Sequence, residues 1–506
     1  MSGETVRWWP AMFVLLAGGT ALLAIWRWWE PSRQDQVLAS MALGLAVAVA
    51  LLAWLLFASR AGGSVRLLVL SAVALAVVLG LFLIRFTGVS GDLVPQWEWR
   101  WGTSAGVRFA EPAPAATGVA GEFPGFLGPR RDGVVHGAPL ATDWDERPPR
   151  ELWRIPMGEG WSGFAVSGGR AVTQEQYGSE ERVTCYDLET GRLLWSHADE
   201  TRWEDSLGGP GPRATPTVAG GHVFALGATG LLNVLDLATG EVVWSRNVLS
   251  DHGASPPTYG VASSPLVVDD RVVVMAGGAG ASLAAYDVAD GRLRWAAGDD
   301  GAGYSSPALR VLHGVPQIVV LTADHVLAHD LDDGRILWQR EWPGDTQRAA
   351  NPVVLPDARV VASTGYGVGA KLLAISRDDA GFSVATVWES RALKAKFANF
   401  VHLDGYLYGL DDGILTCVSA ADGSRVWKNG RYGHGQLLLT GGLLLVLSER
   451  GDVALVDATP EEYRQLAVFG ALHAKTWNHP ALAGSRLLVR NDREAAAYLL
   501  PLLHEP

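Results

Sequence analysis

The side chains with the most chemistry in this sequence stand at one recurring place. Eight times a small polar residue followed by Pro or an apolar residue opens a unit, the seventh a poor copy: Ser162-Gly163-Phe164, Thr215-Pro216, Ser264-Pro265, Ser306-Pro307, Asn351-Pro352, Asn399-Phe400, Gly435-Gln436 and Asn478-His479-Pro480. At or just before these openings lie Trp161, Arg213, Tyr259, Tyr304 and Arg348, then Lys396, His434, Lys475, Trp477 and Asn478. Lys394, Phe397, Arg431 and Tyr432 occupy the same kind of place. Arranged around an axis, these residues make a basic, aromatic funnel. Guanidinium groups suit carboxylates or phosphates, and Trp or Tyr faces suit a planar ring. In a chain of formal net charge −12, such a funnel would draw in an anion, either a small molecule or an acidic peptide segment. The plainer account is that Lys and Arg at loop tips are solvated and the aromatics only pack a channel.

Other chemistries find less support. Ser162 and His434 do not make a hydrolase, because no Gly-x-Ser-x-Gly turn surrounds Ser162. Asp411-Asp412-Gly413 and Asn491-Asp492-Arg493-Glu494 read as turns; a metal would need several converging oxygen ligands, and none is expected. No phosphate-binding Gly loop stands between a strand and a helix. The acidic balance excludes a nucleic-acid-binding face. Cys185 and Cys417 occupy equivalent places in distant repeats, too far apart for a disulfide, and read as buried thiols.

The elements that position the funnel are written in a second repeat. Tyr186 to Trp195 (YDLETGRLLW) recurs as LDLATGEVVW at 235–244, YDVADGRLRW at 286–295, HDLDDGRILW at 329–338 and VSAADGSRVW at 418–427. Alternating apolar residues around a polar break are two antiparallel strands. The Asp carboxylates can hold the turn backbone, the Gly supplies a positive φ, and the Trp packs against a neighbouring sheet. Gly381–Trp388 and Asp457–Leu466 are weaker copies, and Trp153 is a closing strand without its hairpin. The eight anchors, from 153 to 466, are spaced by about 45 residues, the length of a four-stranded propeller blade. The expected fold is all-β: an eight-bladed propeller of four-stranded antiparallel blades over 150–506, with 150–157 closing the last blade.

Three charge-free stretches precede it, 8–26, 36–59 and 67–84, each near the ~20 residues that cross a bilayer. Residues 1–85 therefore read as a three-helix transmembrane anchor, 86–121 as an Ala/Pro/Gly-rich linker, and 122–149 as an extended segment packed on the propeller. Trp97-Glu98-Trp99-Arg100-Trp101 reads either as a short strand or as a segment at the membrane surface.

The repeats resemble those of the pyrroloquinoline quinone (PQQ)-like propellers, a superfamily that includes quinoprotein alcohol dehydrogenases and the propeller lipoprotein of the outer-membrane assembly machinery. The resemblance covers about 150–500. FPGFLGPRRDG (123–133), LGGPGPRATPT (207–217) and KTWNHPAL (475–482) are also similar to a bacterial group of PQQ-binding-like propellers. The resemblance implies a propeller on the outer, periplasmic side of a bacterial cytoplasmic membrane. It allows PQQ, a planar tricarboxylate, as a cofactor. The dehydrogenases, however, carry a disulfide of adjacent cysteines beside the quinone and a calcium ion held by Glu, Asn and Asp with a further Asp as base. This chain has no such cysteine pair, and that acidic set has no counterpart here. The expectation is thus a membrane-anchored module that binds a ligand or a protein partner; the alternatives are a quinoprotein oxidoreductase, or a sensor coupled to other membrane proteins.

Overall fold

The computed structural model describes residues 6–29, 32–101, 121–137, 139–344 and 346–503. It divides into two units, 1–105 and 106–506. Residues 102–120 of the expected linker lie outside the described residues.

In the first unit, α1 (Trp9–Arg27), α2 (Arg33–Ala53, drawn on as a wider turn over Trp54–Ala58) and α3 (Gly63–Leu83) are long and apolar enough to cross a membrane. Their outward faces carry Leu, Val and Phe, which suits lipid and not water. Ser32 caps α2: its hydroxyl accepts from the Asp35 N–H at 3.2 Å, and the Asp35 carboxylate accepts from the Ser32 N–H at 3.3 Å. The chain leaves α3 directly into a hairpin, Ile84–Val89 paired with Pro95–Trp99.

In the second unit the described residues form eight four-stranded antiparallel blades. Blades 1 to 6 start at Ala165, Thr217, Leu266, Ala308, Val353 and Phe400. Blade 7 spans Gln436–Gly470, and Val134–Val135 adds a parallel strand to its inner edge. Blade 8 takes three strands from Ala481–Leu499 and its outermost from Arg150–Pro156, so the N-terminal strand closes the ring. The seam is reinforced by the wholly buried Arg490. Its guanidinium donates to Thr173 Oγ1 at 2.7 Å and the Gln174 carbonyl at 2.8 Å, both in blade 1.

The two sequence repeats have separate structural causes. The outer-strand Trp of blades 8, 1, 2, 3, 5 and 6 docks on the hairpin turn of the next blade. Trp153, Trp195 and Trp244 donate their indole N–H to the carbonyls of Leu188, Leu237 and Val288 at 2.9, 2.9 and 2.8 Å. The turn glycine lies flat under the ring. A Cβ on Gly191, Gly240 or Gly291 would stand 2.6–2.7 Å from Trp153, Trp195 or Trp244, and each φ is positive, between 68° and 76°. Blade 5 turns at Asp378–Gly381 after ten-residue strands, where Gly381 lies under no ring, and Trp338 bonds Gln317 Oε1 at 2.7 Å instead. The Ser/Thr/Asn repeat is a collar around the channel. Each side chain accepts from the backbone N–H of the preceding blade's counterpart: Gly163 to Thr215 (3.0 Å), Thr215 to Ser264 (2.9 Å), Ser264 to Ser306 (2.9 Å), Ser306 to Asn351 (2.8 Å) and Asn351 to Asn399 (2.8 Å). Gln436 and Asn478 complete it by donating to backbone carbonyls of Phe397 and Trp477, and of Gly160 and Ser162. Both cysteines are buried free thiols, pushed up by burial to about 12 (Cys185) and about 11 (Cys417).

Candidate functional site

Two sets of loops share one face of the ring: the links from each outer strand to the next inner strand, and the turns between second and third strands. The Asp-x-x-x-Gly turns lie on the other face, with the links from first to second strands.

From that other face the segment 121–135 crosses the channel. Phe123 pairs with Val166 of blade 1, and the Pro124 carbonyl accepts from Val218 N–H of blade 2 at 2.7 Å. The buried Arg131 donates to the carbonyls of Ser264 and Pro265 of blade 3 at 2.8 and 2.6 Å. Arg310 of blade 4 donates to the Arg130 and Arg131 carbonyls at 2.9 and 2.8 Å. Gly133 abuts Val401 of blade 6, Val134 pairs with Leu439 of blade 7, and Phe126 stands edge-on to His479 of blade 8 at 4.8 Å. The segment thus stoppers the channel. Arg131, enclosed and beside a like charge, is lowered to about 9.

Above this stopper the sequence-predicted residues assemble into a belt. Trp161 and Trp477 lie 4.9 Å apart between ring centres, and Trp477 meets Phe397 edge-on at 5.2 Å. Phe397 meets His434 at 5.1 Å, and Tyr259 meets Tyr304 at 5.8 Å. The Lys475 ammonium sits over both Trp rings, 4.2 Å from Trp477 and 5.0 Å from Trp161, and burial lowers its pKa. The Lys396 ammonium lies 4.8 Å from Tyr366 and 5.9 Å from Phe397. Burial raises the Tyr366 hydroxyl, with Tyr259 and Tyr304 adding to it.

Not every predicted residue presents its polar group to the opening. Arg213 is clasped by its own loop: Nη2 reaches Asp205 Oδ2 at 2.5 Å and the Gly209 carbonyl at 2.8 Å. Asp205 also takes the Gly208 N–H at 2.5 Å, and the Gly208 carbonyl receives the Trp161 indole N–H at 2.6 Å. Arg348 is buried and donates to the carbonyls of Thr346 and Trp342 at 2.9 and 3.3 Å. Asn478 is buried in the collar. The two arginines therefore shape their own loops.

Sequence reasoning missed Asp205, Tyr366 and Glu449. Glu449 accepts from Trp477 Nε1 at 2.9 Å and from His434 N–H at 3.2 Å, fixing both. Tyr366 and Glu449 lie in turns between second and third strands, a loop class on the same face that could have been found by pairing each inner strand with the next turn in its blade.

The donor set does not fit a quinone held against a divalent metal. Among the described residues no three His, Cys, Asp or Glu side chains converge, and the carboxylates of the belt, Asp205 and Glu449, are taken up in the bonds above.

The fold is an eight-bladed β-propeller, in a chain that also carries an apolar three-helix unit. Residues 180–429 match the family described as outer membrane protein assembly factor BamB. BamB of Bordetella pertussis is 26% identical over 180 residues, which are 35% of this chain and 42% of that protein, so the chain spans under half the length of this curated relative. The crystal structure of BamB from Moraxella catarrhalis superposes with a TM-score of 0.52 at 15% identity, over 70% of this chain and 100% of that one. A quinohemoprotein alcohol dehydrogenase from Pseudomonas putida HK5 gives 0.55 at 13% identity, over 76% and 81%. At these identities the structures speak to the fold alone.

Proposed function

We propose that this chain is a membrane-anchored binding module, with its propeller on the periplasmic side of a bacterial cytoplasmic membrane, that holds an anionic segment of a protein partner at the aromatic belt. The observation that carries this reading is the belt itself. Lys396 and Lys475 are set on aromatic faces above the segment that crosses the channel, in a chain that is acidic overall. An ammonium set against aromatic faces is chemically suited to a carboxylate, and the rings supply apolar contact. The named role of the family, an assembly factor, agrees with a protein partner. No side chain in the belt is a free base beside a place for a substrate, so an oxidoreductase reading has no residue to carry it.

The test is site-specific photo-crosslinking in membrane vesicles of the source bacterium. A benzophenone amino acid at Tyr366 or Phe397 is expected to trap a discrete protein adduct, and one at Val468 on the outer rim is not. The same adducts should fade in a Lys396→Ala/Lys475→Ala background. Absence of an adduct at both belt positions would overturn the reading. Saturable PQQ binding to the purified chain, with or without calcium, would replace it with the quinoprotein alternative.

A further inference from the structure

The hairpin after α3 has two unlike faces. Its register sets Ile84 opposite Trp99 and Phe86 opposite Trp97 on one side, and Arg85 opposite Glu98 on the other. The last pair lies 3.3 Å apart as an ion pair. Phe86 and Trp97 meet edge-on at 5.4 Å, and Trp101 extends the row to Phe82 in the last turn of α3, at 5.2 Å. This row is not packed on the helices: Phe86, Trp97, Trp99 and Trp101 are 51, 56, 55 and 58% exposed. Four large aromatic side chains on one face of a short hairpin are a poor surface to leave in water.

The tip of the hairpin fixes its direction. In the turn, Asp92 Oδ2 is 2.9 Å from Arg33 Nε, at the first residue of α2. The start of α2 and the end of α3 lie on the same side of the three-helix unit, because α1 and α3 run one way and α2 the other. A hairpin rooted at the end of α3 and pinned at its tip beside the start of α2 lies across the end of the unit, parallel to the plane in which the helices would leave the bilayer. Arg100 bonds back to the Leu81 carbonyl at 3.0 Å, which closes the C-terminus of α3 and holds the root close to it.

We propose that residues 84–101 form an interfacial anchor whose aromatic face is seated in the headgroup region of the leaflet where α3 ends. The occupant is the lipid surface: the hairpin follows a membrane-spanning helix without a spacer, lies along that plane, and offers the ring types that favour this depth. Arg85 and Glu98 face the water. The proposal rests on the reading that the three helices span a membrane.

The test uses the full chain in phosphatidylcholine–phosphatidylglycerol vesicles, with single cysteines placed at Phe86, Arg85, Trp97, Glu98, Trp99 and, in mid-α3, Leu75. The two buried native thiols are first removed as Cys185→Ala/Cys417→Ala. Each site is spin-labelled, and its collisions with oxygen and with a water-soluble nickel chelate are compared. Labels at 86, 97 and 99 are expected to show an oxygen-to-nickel ratio several-fold above those at 85 and 98, and below that at 75. If the five hairpin sites are alike and nickel-accessible while 75 stays deep, the anchor is refuted and the membrane-spanning reading stands. If 75 is also open to nickel, the spanning reading fails and the anchor with it.

Discussion

The turn glycine beneath each docked Trp can be tested within a single blade. Gly280 and Gly291 are both in blade 3, with φ of +70° and +69°. A Cβ on Gly280 meets nothing within 4 Å; one on Gly291 would stand 2.7 and 2.8 Å from Cε3 and Cδ2 of Trp244. Gly280→Ala therefore carries only the cost of a left-handed Ala, about 1–2 kcal/mol. Gly291→Ala carries the same strain, plus about 1–3 kcal/mol for pushing the indole away. It also weakens the 2.8 Å bond from Trp244 to Val288, at about 1 kcal/mol. The difference between the variants is about 2–4 kcal/mol. With an unfolding entropy on the order of 0.8 kcal/mol/K for roughly 380 ordered residues, that is about 3–5 °C of extra loss in Tm. The assay is differential scanning calorimetry of the full chain in detergent, repeated in a Trp244→Leu background. There Gly291→Ala should cost no more than Gly280→Ala, because the ring it strikes has gone. Equal shifts in the wild-type background, or an unchanged gap in the Trp244→Leu background, would refute the docking account.

Other outcomes follow from the collar, the seam and the buried charges. Asn399→Ala strips the Asn351 N–H and His479 Nε2 of their partner and should cost about 2–4 kcal/mol, whereas Thr215→Ser keeps the accepting oxygen and should cost well under 1; urea midpoints distinguish them. Glu181 is buried against blade 2 and its carboxyl is raised to about 7. A raised carboxyl favours the folded state while protonated, so this contribution is present below about 4.5 and is lost as pH rises to about 7, by about 3 kcal/mol. Glu181→Gln should flatten that fall, and an unchanged Tm–pH profile between 4.5 and 7 would count against the assignment. Trp153→Ala removes the ring from the closing strand and should cost about 3–5 kcal/mol, with limited proteolysis opening first between 150 and 157.

The fold was legible because its strongest signals are backbone requirements that recur. Asp187, Gly191 and Trp195 must be what they are for one turn to form and one indole to dock, and each blade asks again. The collar was legible for the same reason, although its purpose was not: a Ser or Asn before Pro looks like a turn until its oxygen is seen capping the neighbouring blade. The funnel was half legible. Residues ahead of the inner strands were found by position, but position does not say where a side chain points. Arg213 and Arg348 satisfy their own loops, while Tyr366 and Glu449 entered from turns that carry no shared signature. Arg131 is one of two adjacent arginines in the sequence, and only its bonds to blade 3 show it to be interior. The Trp97–Trp101 alternation left strand and membrane surface as rivals, and the structure places Pro95–Trp99 in a strand.

The stopper at 121–135 turns a tunnel into a cul-de-sac. Whatever reaches the belt must come and go by the same door, so a polypeptide cannot be threaded through; it can be admitted only as a chain end or as a bent-back loop. On the proposed binding role, a guest at the belt would have to back out along the path by which it came.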